Sequence, residues 1–289
     1  MTTDTARAAE PGVAPDRATL EAKRTSLMER LSSLASLVIA YSGGVDSAFL
    51  ACAAAQAMPG RLLAVTADSA SYPRRHRDIA EQIASQFKFP HEFIQTAELD
   101  RPEYRANPAN RCYYCKTELY EHLARVASDR GFAAIADGSN ADDRGDYRPG
   151  RQAAREFGVL SPLDEAGLTK AEIRELSRQA GLPTWDEPAS ACLSSRIPYQ
   201  SEVTVAKLSM IERAEEAVKR LGFRVCRVRH HDTLARLEIG RDELPRALEP
   251  ETSARLVAEL KAVGYQYVCL DLQGYRTGSL NDVLKLRPV

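Results

Sequence analysis

The stretch Ser42-Gly43-Gly44-Val45-Asp46-Ser47 decides the fold of this chain of 289 residues. It follows the apolar run 37–41 (LVIAY) and precedes an Ala-rich segment over 46–58. An apolar run without polar alternation predicts a strand buried on both faces. The glycines permit a tight turn from strand to helix, and the N–H groups at a helix start attract anions. The stretch therefore predicts a phosphate-binding loop.

The side chains of this loop add to that prediction. The hydroxyls of Ser42 and Ser47 are further donors, whereas the Asp46 carboxylate would repel a phosphate. Asp46 makes sense if a Mg²⁺ ion lies between it and the phosphates. The Gly-Lys-Ser/Thr ending of a Walker A motif is absent from the sequence of the loop.

The segments around the loop alternate between short apolar runs and helical patterns. Strands are predicted at 37–41, 62–66, 91–95 and 132–136, and helices at 20–34, 46–58, 74–87, 112–130 and 169–180. This alternation predicts an α/β fold, a parallel sheet with helices on both faces. Ligands of such sheets bind beyond the carboxyl ends of the strands.

The order of elements changes towards the end of the chain. Helices are predicted at 205–221 and 242–263, and strands at 224–229, 234–239 and 267–272. We therefore expect a disordered tail over 1–17, a nucleotide-binding domain over 18–199 and a small α+β domain over 200–289 that binds substrate or forms oligomers. The tail prediction rests on two Pro, one Gly and almost no large apolar residue.

Composition narrows the class of protein. Lys and Arg number 39 and Asp and Glu 40, so the net charge of −1 argues against a broad nucleic-acid footprint. Apolar stretches fall short of the ~20 residues of a membrane-spanning helix, and the N-terminal residues do not resemble a secretion signal. Six cysteines are too sparse for a disulfide scaffold. We expect a cytoplasmic protein with a small-molecule partner, and neither nucleic acid nor membrane.

The loop resembles the SGGxDS signature of the PP-loop ATP pyrophosphatases. That resemblance implies an adenine nucleotide alpha hydrolase-like fold that cleaves ATP between the α and β phosphates and adenylates a substrate oxygen. Residues 137–143 (DGSNADD) resemble a segment that lies beside the nucleotide in one branch of the superfamily. The implied ATP-binding residues are Ser42, Gly43, Gly44, Asp46, Ser47, Asp68, Asp137, Gly138 and Asn140, with Mg²⁺ at Asp46.

Three of the six cysteines lie in polar contexts. Cys112 and Cys115 form a Cys-x-x-Cys pair at a predicted helix start, and Cys192 lies in a Pro-rich loop. The pair suits a redox dithiol, half of a zinc site or part of an iron–sulfur site. Three cysteines leave one iron of a 4Fe-4S cluster open, although three unrelated thiols are the alternative. The cysteines expected to be inert small hydrophobes are Cys52, Cys226 and Cys269.

From about residue 20 onward the chain resembles the LarE family, the ATP-dependent sulfur transferases of nickel-pincer cofactor biosynthesis. The blocks that carry this resemblance are 40–47 (AYSGGVDS), 137–143, 185–198 (WDEPASACLSSRIP), 227–231 (RVRHH) and 274–278 (GYRTG). The resemblance implies adenylation of the carboxylates of pyridinium-3,5-dicarboxylate mononucleotide and their conversion to thiocarboxylates, one per round. It also implies a homo-oligomer.

The family has two ways to supply sulfur. In the one-cysteine form the residue that matches Cys192 gives up its own sulfur and becomes dehydroalanine. In the three-cysteine form the residues that match Cys112, Cys115 and Cys192 hold a 4Fe-4S cluster with an extra sulfide as donor. This sequence has all three cysteines, so we favour the cluster form, with Cys192 as the catalytic residue.

Basic residues suggest where an anionic substrate binds. Arg227 and Arg229 alternate on one predicted strand, so both face the same way and suit a phosphate. The resemblance assigns the pair to the substrate phosphate and places Glu215 nearby, with a metal as one option for its partner. We expect Arg196 to neutralise a carboxylate or an adenylate, with Ser195 as a donor beside it.

Two other functions fit part of the sequence. A tRNA thiolase shares the phosphate loop and the three cysteines, but the balanced charge disfavours it. A nucleotide- or metal-binding regulator would keep the loop without turning over ATP.

Overall fold

The computed structural model describes residues 16–145, 149–188, 191–276 and 278–285. Residues 1–15 of the predicted tail lie outside these ranges, as do Ala189, Ser190 and Thr277 of the blocks quoted above. The first helix, α1, spans Arg17–Ser32, and the Asp16 side chain caps it by accepting a hydrogen bond from the Thr19 amide. The predicted tail therefore ends before Arg17.

The first sheet has four parallel strands in the order β3-β2-β1-β4. The strands are β1 (Leu37–Ala40), β2 (Leu62–Asp68), β3 (His91–Gln95) and β4 (Ala134–Ala136). The helices that follow α1 are α2 (Val45–Ala57), α3 (Arg74–Phe87), α4 (Pro102–Arg105), α5 (Arg111–Arg130), α6 (Gly150–Glu156), α7 (Pro162–Glu165) and α8 (Lys170–Gln179). The predicted α/β fold is confirmed.

Strand β1 explains the continuous apolar run. Leu37 and Ile39 pack into a core with residues of α1, α2 and α8. Val38 and Ala40 point the other way, into a core that includes residues of α5 and α6. Because successive side chains of a strand alternate between faces, both faces of β1 are buried.

A second sheet of three strands, ordered β5-β6-β7, follows. Its elements are α9 (Val205–Arg220), β5 (Cys226–His231), β6 (Leu234–Ile239), α10 (Leu244–Leu248), α11 (Pro250–Val263), β7 (Tyr267–Leu270) and α12 (Asp282–Lys285). β5 and β6 are antiparallel, and β6 and β7 are parallel. This sheet has a core of its own. The exact division at residue 200 stays a prediction.

The two parts meet around the segment that contains Cys192. Leu193 and Ile197 pack in one apolar cluster with Tyr104 of α4 and with Leu208 and Ile211 of α9. Within the loop predicted over 183–199, Leu193–Arg196 form a short 3₁₀ helix, and the Leu193 amide donates to the carbonyl of Ser71, three residues after the end of β2. Within the described ranges, no helix combines the length and apolar character that crossing a membrane requires.

Candidate active site

The phosphate loop, Ser42–Ser47, connects β1 to α2. Gly43 has a φ of 70°, and a Cβ there would lie 3.1 Å from the Ala80 Cβ, so both backbone and space favour glycine. The Ser42 amide donates to the Ser47 Oγ (3.1 Å), and the Tyr72 hydroxyl donates to the Ser42 carbonyl (3.0 Å). These bonds hold the turn in a fixed shape.

The start of α2 is open to an anion. Its N-cap, Gly44, offers no side-chain hydrogen bond to the first amides of the helix. Such amides and the positive end of the helix dipole favour a phosphate. Gly138 lies against this turn, because a Cβ there would be 2.8 Å from the Ser47 amide nitrogen. The end of β4 and the start of α2 therefore approach backbone to backbone.

The segment after β4 lies beside the phosphate loop, as predicted. The Asp137 carboxylate accepts hydrogen bonds from the Tyr120 hydroxyl (2.9 Å) and the Ser161 hydroxyl (3.0 Å). The Asn140 Nδ2 donates to the Asp46 Oδ1 at 3.4 Å. Asp137, Gly138 and Asn140 are thus brought together with the loop, while their contacts with ATP stay a prediction.

Asp68 is placed differently from the other predicted ATP-binding residues. It ends β2, but its carboxylate pairs with Arg77 of α3 and accepts from the Gln95 Nε2 at 3.0 Å. The Arg77 guanidinium in turn lies 4.1 Å from the centre of the Phe93 ring. In this structure Asp68 ties β2 to α3, and its role at the adenosine stays a prediction.

Two lysines at this site were missed by sequence reasoning. Lys170, the first residue of α8, forms an ion pair of 2.5 Å with the Asp46 Oδ2. Lys116 of α5 lies 5.3 Å from the centre of the Tyr120 ring. Although burial opposes it, the nearby Tyr120 and Asp137 raise the pKa of Lys116. The Thr169 capping box marks the start of α8 in the sequence, but this local pattern does not predict the partner of the Lys170 side chain.

The cysteine loop, Ala191–Ile197, is held by a set of hydrogen bonds to its backbone. The Arg196 Nη1 donates to the Ala191 carbonyl (2.8 Å) and the Cys192 carbonyl (3.0 Å). The Ser195 hydroxyl also donates to the Cys192 carbonyl (2.8 Å), and the Leu193 amide donates to the Ser71 carbonyl (2.9 Å). Cys192 itself is half-buried.

The Arg196 guanidinium donates its hydrogen bonds to other groups of the protein. Its Nε and Nη2 donate to the two carboxylate oxygens of Glu215 at 2.8 and 3.0 Å. The side chains are only 3% and 7% exposed, so this is a buried, bidentate pair. Burial opposes ionisation of Glu215, but Arg196 holds the pKa of that carboxyl below its usual value. Contact of Arg196 with an adenylate stays a prediction.

Arg227 and Arg229 both lie near the cysteine loop but have different surroundings. Arg229 pairs with Glu238 (2.7 Å) and donates to the Ser195 carbonyl (2.8 Å). Arg227 donates to the Cys226 carbonyl (2.7 Å). Burial and then the positive charge of Arg196 lower the pKa of Arg227. Two guanidinium groups, those of Arg196 and Arg227, therefore lie close to each other beside the cysteine loop, an arrangement that suits an anion.

Glu238 was also missed, and the hairpin could have revealed it. In the antiparallel register Glu238 of β6 stands opposite Arg227 of β5. Glu238 is nearly fully buried and binds both Arg229 and Arg236. An acidic residue on β6 that pairs in register with the Arg-x-Arg segment of β5 is the sequence signal that could have predicted this buried charge network.

The Cys-x-x-Cys pair lies in the first turn of α5, beside the cysteine loop. The buried Arg111 joins them by donating to the Ser194 carbonyl (2.8 Å). The Cys112 side chain is exposed, and that of Cys115 is half-buried. Desolvation, Glu98 and Cys192 raise the pKa of Cys115. Cys115 also packs in the same apolar cluster as Leu193 of the cysteine loop.

Their sulfur atoms are not gathered around a common point. Among the described residues, no group of three or more His, Cys, Asp or Glu side chains stands close enough to hold a metal ion. Cys52 and Cys226 are buried, as predicted. Cys269 was predicted as a small hydrophobe in an apolar strand, but it is exposed because one face of β7 meets solvent.

Comparisons with known proteins show which proteins this chain is similar to. The family model described as asparagine synthase matches residues 20–107, the part that contains the phosphate loop. An uncharacterized protein of Synechocystis sp. is 43% identical over 92% of this chain and 99% of its own length. The pyridinium-3,5-bisthiocarboxylic acid mononucleotide synthase of Lactiplantibacillus plantarum is 34% identical over 92% of this chain and 96% of its own. An uncharacterized protein of Methanocaldococcus jannaschii is 26% identical over 83% and 91%.

Proposed function

The chain belongs to the LarE family, and from this premise we propose that it is an ATP-dependent sulfur transferase acting on pyridinium-3,5-dicarboxylate mononucleotide. It converts the two carboxylates to thiocarboxylates for synthesis of the nickel-pincer cofactor. The identity with the synthase of L. plantarum, which extends over nearly the whole of both chains, supports this substrate.

One structural observation carries the proposal. Ser71 and Tyr72 are neighbours in the chain, and each binds one of the two loops. The Tyr72 hydroxyl donates to Ser42 of the phosphate loop, and the Ser71 carbonyl accepts from Leu193 of the cysteine loop. An acid activated at the first loop therefore stands close to sulfur delivered at the second, and such proximity is a large part of catalysis.

The reaction consists of two displacements. A carboxylate oxygen of the substrate attacks the α-phosphorus of ATP, the bond to the α–β bridging oxygen breaks, and pyrophosphate leaves. The phosphate loop and Asn140 bind the phosphates, and Asp46 would hold a Mg²⁺ ion that offsets part of their charge. A sulfur nucleophile at Cys192 then attacks the acyl carbon of the adenylate, and AMP leaves with the electron pair of the broken C–O bond.

The substrate is held by the positive charge near the cysteine loop. Arg227 binds its phosphate, because this guanidinium lies close to that of Arg196 beside the cysteine loop. Arg229 holds the Ser195 carbonyl, and Arg196 with Glu215 holds the Cys192 backbone. Arg229, Arg196 and Glu215 thereby keep the cysteine loop in place while sulfur is transferred to the acyl group.

The sulfur source in this proposal is a 4Fe-4S cluster. Cys112, Cys115 and Cys192 would hold it, and the cluster would supply a transferable sulfide on the iron that the protein leaves open. The assignment is supported by the contact between the start of α5 and the cysteine loop, where Arg111 donates to the Ser194 carbonyl and Cys115 packs in the same apolar cluster as Leu193. The alternative is that the Cys192 sulfur itself is transferred, leaving dehydroalanine.

The cluster is tested by replacing each cysteine in turn. Cys112→Ser, Cys115→Ser and Cys192→Ser should each lose most of the iron and acid-labile sulfide of anaerobically purified protein. Cys269→Ser, a matched exposed cysteine on β7, should keep both. Wild-type protein without iron and sulfide, together with one-turnover loss of the Cys192 sulfur, would establish the sacrificial route instead.

The activity is tested with ATP and the dicarboxylate mononucleotide under anaerobic conditions. We expect AMP and pyrophosphate in equal amounts and a product whose mass reports sulfur in place of oxygen. AMP release that does not depend on the dicarboxylate would contradict the proposed substrate.

The assembly and location complete the proposal. The chain forms a homo-oligomer, since the edge strand β7 leaves Tyr267 63% exposed and Leu272 after it 83% exposed. Such apolar side chains at a free edge favour pairing with a second copy. Light scattering tests this, and a monomer at micromolar concentration would contradict it. The reaction takes place in the cytoplasm, where ATP is abundant.

A further inference from the structure

Lys170 is held in place beside the phosphate loop by its backbone. Its neighbour Thr169 forms a capping box with Glu172, and Glu172 also pairs with Lys23 of α1 at 2.7 Å. The Lys170 amide donates to the Asp142 Oδ2 at 2.8 Å. The start of α8 is thus tied both to α1 and to the segment after β4, which leaves only the Lys170 side chain free to change its partner.

That side chain ends at the phosphate loop. The Lys170 Nζ lies 2.5 Å from the Oδ2 of Asp46, the second residue of α2, whose first amides have no side-chain cap. The two side chains are 31% and 25% exposed, so a ligand from solvent reaches the pair. An ion pair of this exposure contributes little to stability, and breaking it costs little.

Four carboxylates lie in the loop and in the neighbouring segment around this pair, and Lys116 lies near one of them, Asp137. Asp46, Asp137, Asp142 and Asp143 all belong to the loop or to the segment after β4, and Asn140 joins the two by its bond to Asp46. The triphosphate of ATP would add more negative charge at the same place. Asp46 would hold a Mg²⁺ ion that compensates part of this charge, and its carboxylate would then be shared between the ion and Lys170.

We propose that Lys170 exchanges Asp46 for the β- and γ-phosphates when Mg²⁺ and ATP bind, and that its ammonium then stabilises the departing pyrophosphate. This inference rests on the proposed function and adds a residue to it. When the α-phosphorus–oxygen bond breaks, the electron pair stays on the pyrophosphate oxygen. The Lys170 ammonium neutralises that charge without giving up a proton. Lys170 thus acts only on the leaving group and not on the sulfur.

Direct binding of magnesium pyrophosphate tests the proposal without turnover. Isothermal titration calorimetry compares wild type, Lys170→Met and Lys207→Met. Lys207 forms an ion pair with Asp232 at 3.5 Å on α9, outside the proposed machinery, and is a matched control. We expect Lys170→Met to bind pyrophosphate at least about 10-fold more weakly, since a charge-assisted contact is lost, and Lys207→Met to bind like wild type. Equal affinities in all three proteins, or no binding by wild type, would overturn the proposal.

Steady-state kinetics provide a second test of the role of Lys170. Lys170→Met should lower the kcat of AMP formation by about 10²-fold, the usual loss when one preorganised group that stabilises developing charge is removed, and Lys170→Arg should restore part of it. Thermal unfolding of Lys170→Met should match that of Lys207→Met. If wild type bound pyrophosphate through Lys170 but formed no AMP with the dicarboxylate, the proposed function would fail while this inference stood.

Discussion

Replacement of Gly138 by alanine tests whether the approach of β4 to the phosphate loop matters. A Cβ on residue 138 would lie 2.8 Å from the Ser47 nitrogen, 3.1 Å from its Cα and 3.2 Å from the Asp46 carbonyl carbon. These are all backbone atoms, so no side chain can move aside. The shortest contact falls roughly 0.6 Å below an ordinary van der Waals distance. The end of β4 and the start of α2 must separate by about that much.

The expected loss of activity is larger than the loss of stability. Overpacking of this kind destabilises by about 1–3 kcal/mol. Displacement of a reacting group by about 1 Å costs about 100-fold in rate, so we expect Gly138→Ala to lower kcat/KM for ATP by about 10- to 100-fold. Initial rates of AMP release at varied ATP give this quantity, and urea unfolding gives the change in stability.

Gly131→Ala is the control for this variant. Gly131 caps the end of α5 with a φ of 70°, and its Cβ would meet no atom within 4 Å. Alanine there costs about 1–2 kcal/mol through its left-handed backbone, but the residue precedes β4 and lies away from the loop. A Gly138→Ala enzyme with the ATP kinetics of Gly131→Ala would refute the idea that this contact sets the loop.

Two further predictions concern buried charge. Glu215→Ala removes the partner of the buried Arg196 and should lower the free energy of unfolding by about 3–5 kcal/mol; a change below about 1 kcal/mol in guanidinium unfolding would show that the pair is not essential to the fold. Burial, with Lys219, Arg196, Arg75 and Arg227 nearby, lowers the pKa of His76 to about 4, so the folded state binds fewer protons than the unfolded state between pH 4 and 6.5. Stability should therefore fall by about 1–3 kcal/mol as the pH drops through that window, and His76→Gln should remove this part of the pH dependence.

The sequence predicted the parallel sheet well because its signals are local. The LVIAY run predicts a buried strand and the glycines of the phosphate loop predict a turn, and neither prediction depends on distant residues. Where an observed element begins or ends at a different residue from the predicted one, contacts with other parts of the chain explain the difference. β5 begins at Cys226 rather than Arg224, because the amides of Arg224 and Val225 donate hydrogen bonds to the Glu243 carboxylate and not to a neighbouring strand. The predicted helical region 242–263 divides in two because Pro250 starts a new helix.

The motifs indicated candidate site residues, but they did not indicate the side-chain partners of those residues. The functional roles of Ser42, Asp46, Asn140, Arg227 and Cys192 stay predictions. The partners of these residues come from distant segments, which no local pattern reports. Lys170 reaches Asp46 across 124 positions of sequence. The side chains of Asp68 and Arg196 likewise have protein partners that spacing along the chain does not reveal.

The central claim is that ATP activates a carboxylate at the phosphate loop and that sulfur delivered at Cys192 displaces the AMP. Its most direct test is mass spectrometry of the product that Cys192→Ala forms from ATP and the dicarboxylate under anaerobic conditions, with AMP measured in the same sample. We predict that this variant still releases AMP but yields no thiocarboxylate. A thiocarboxylate yield equal to that of wild type would contradict the account.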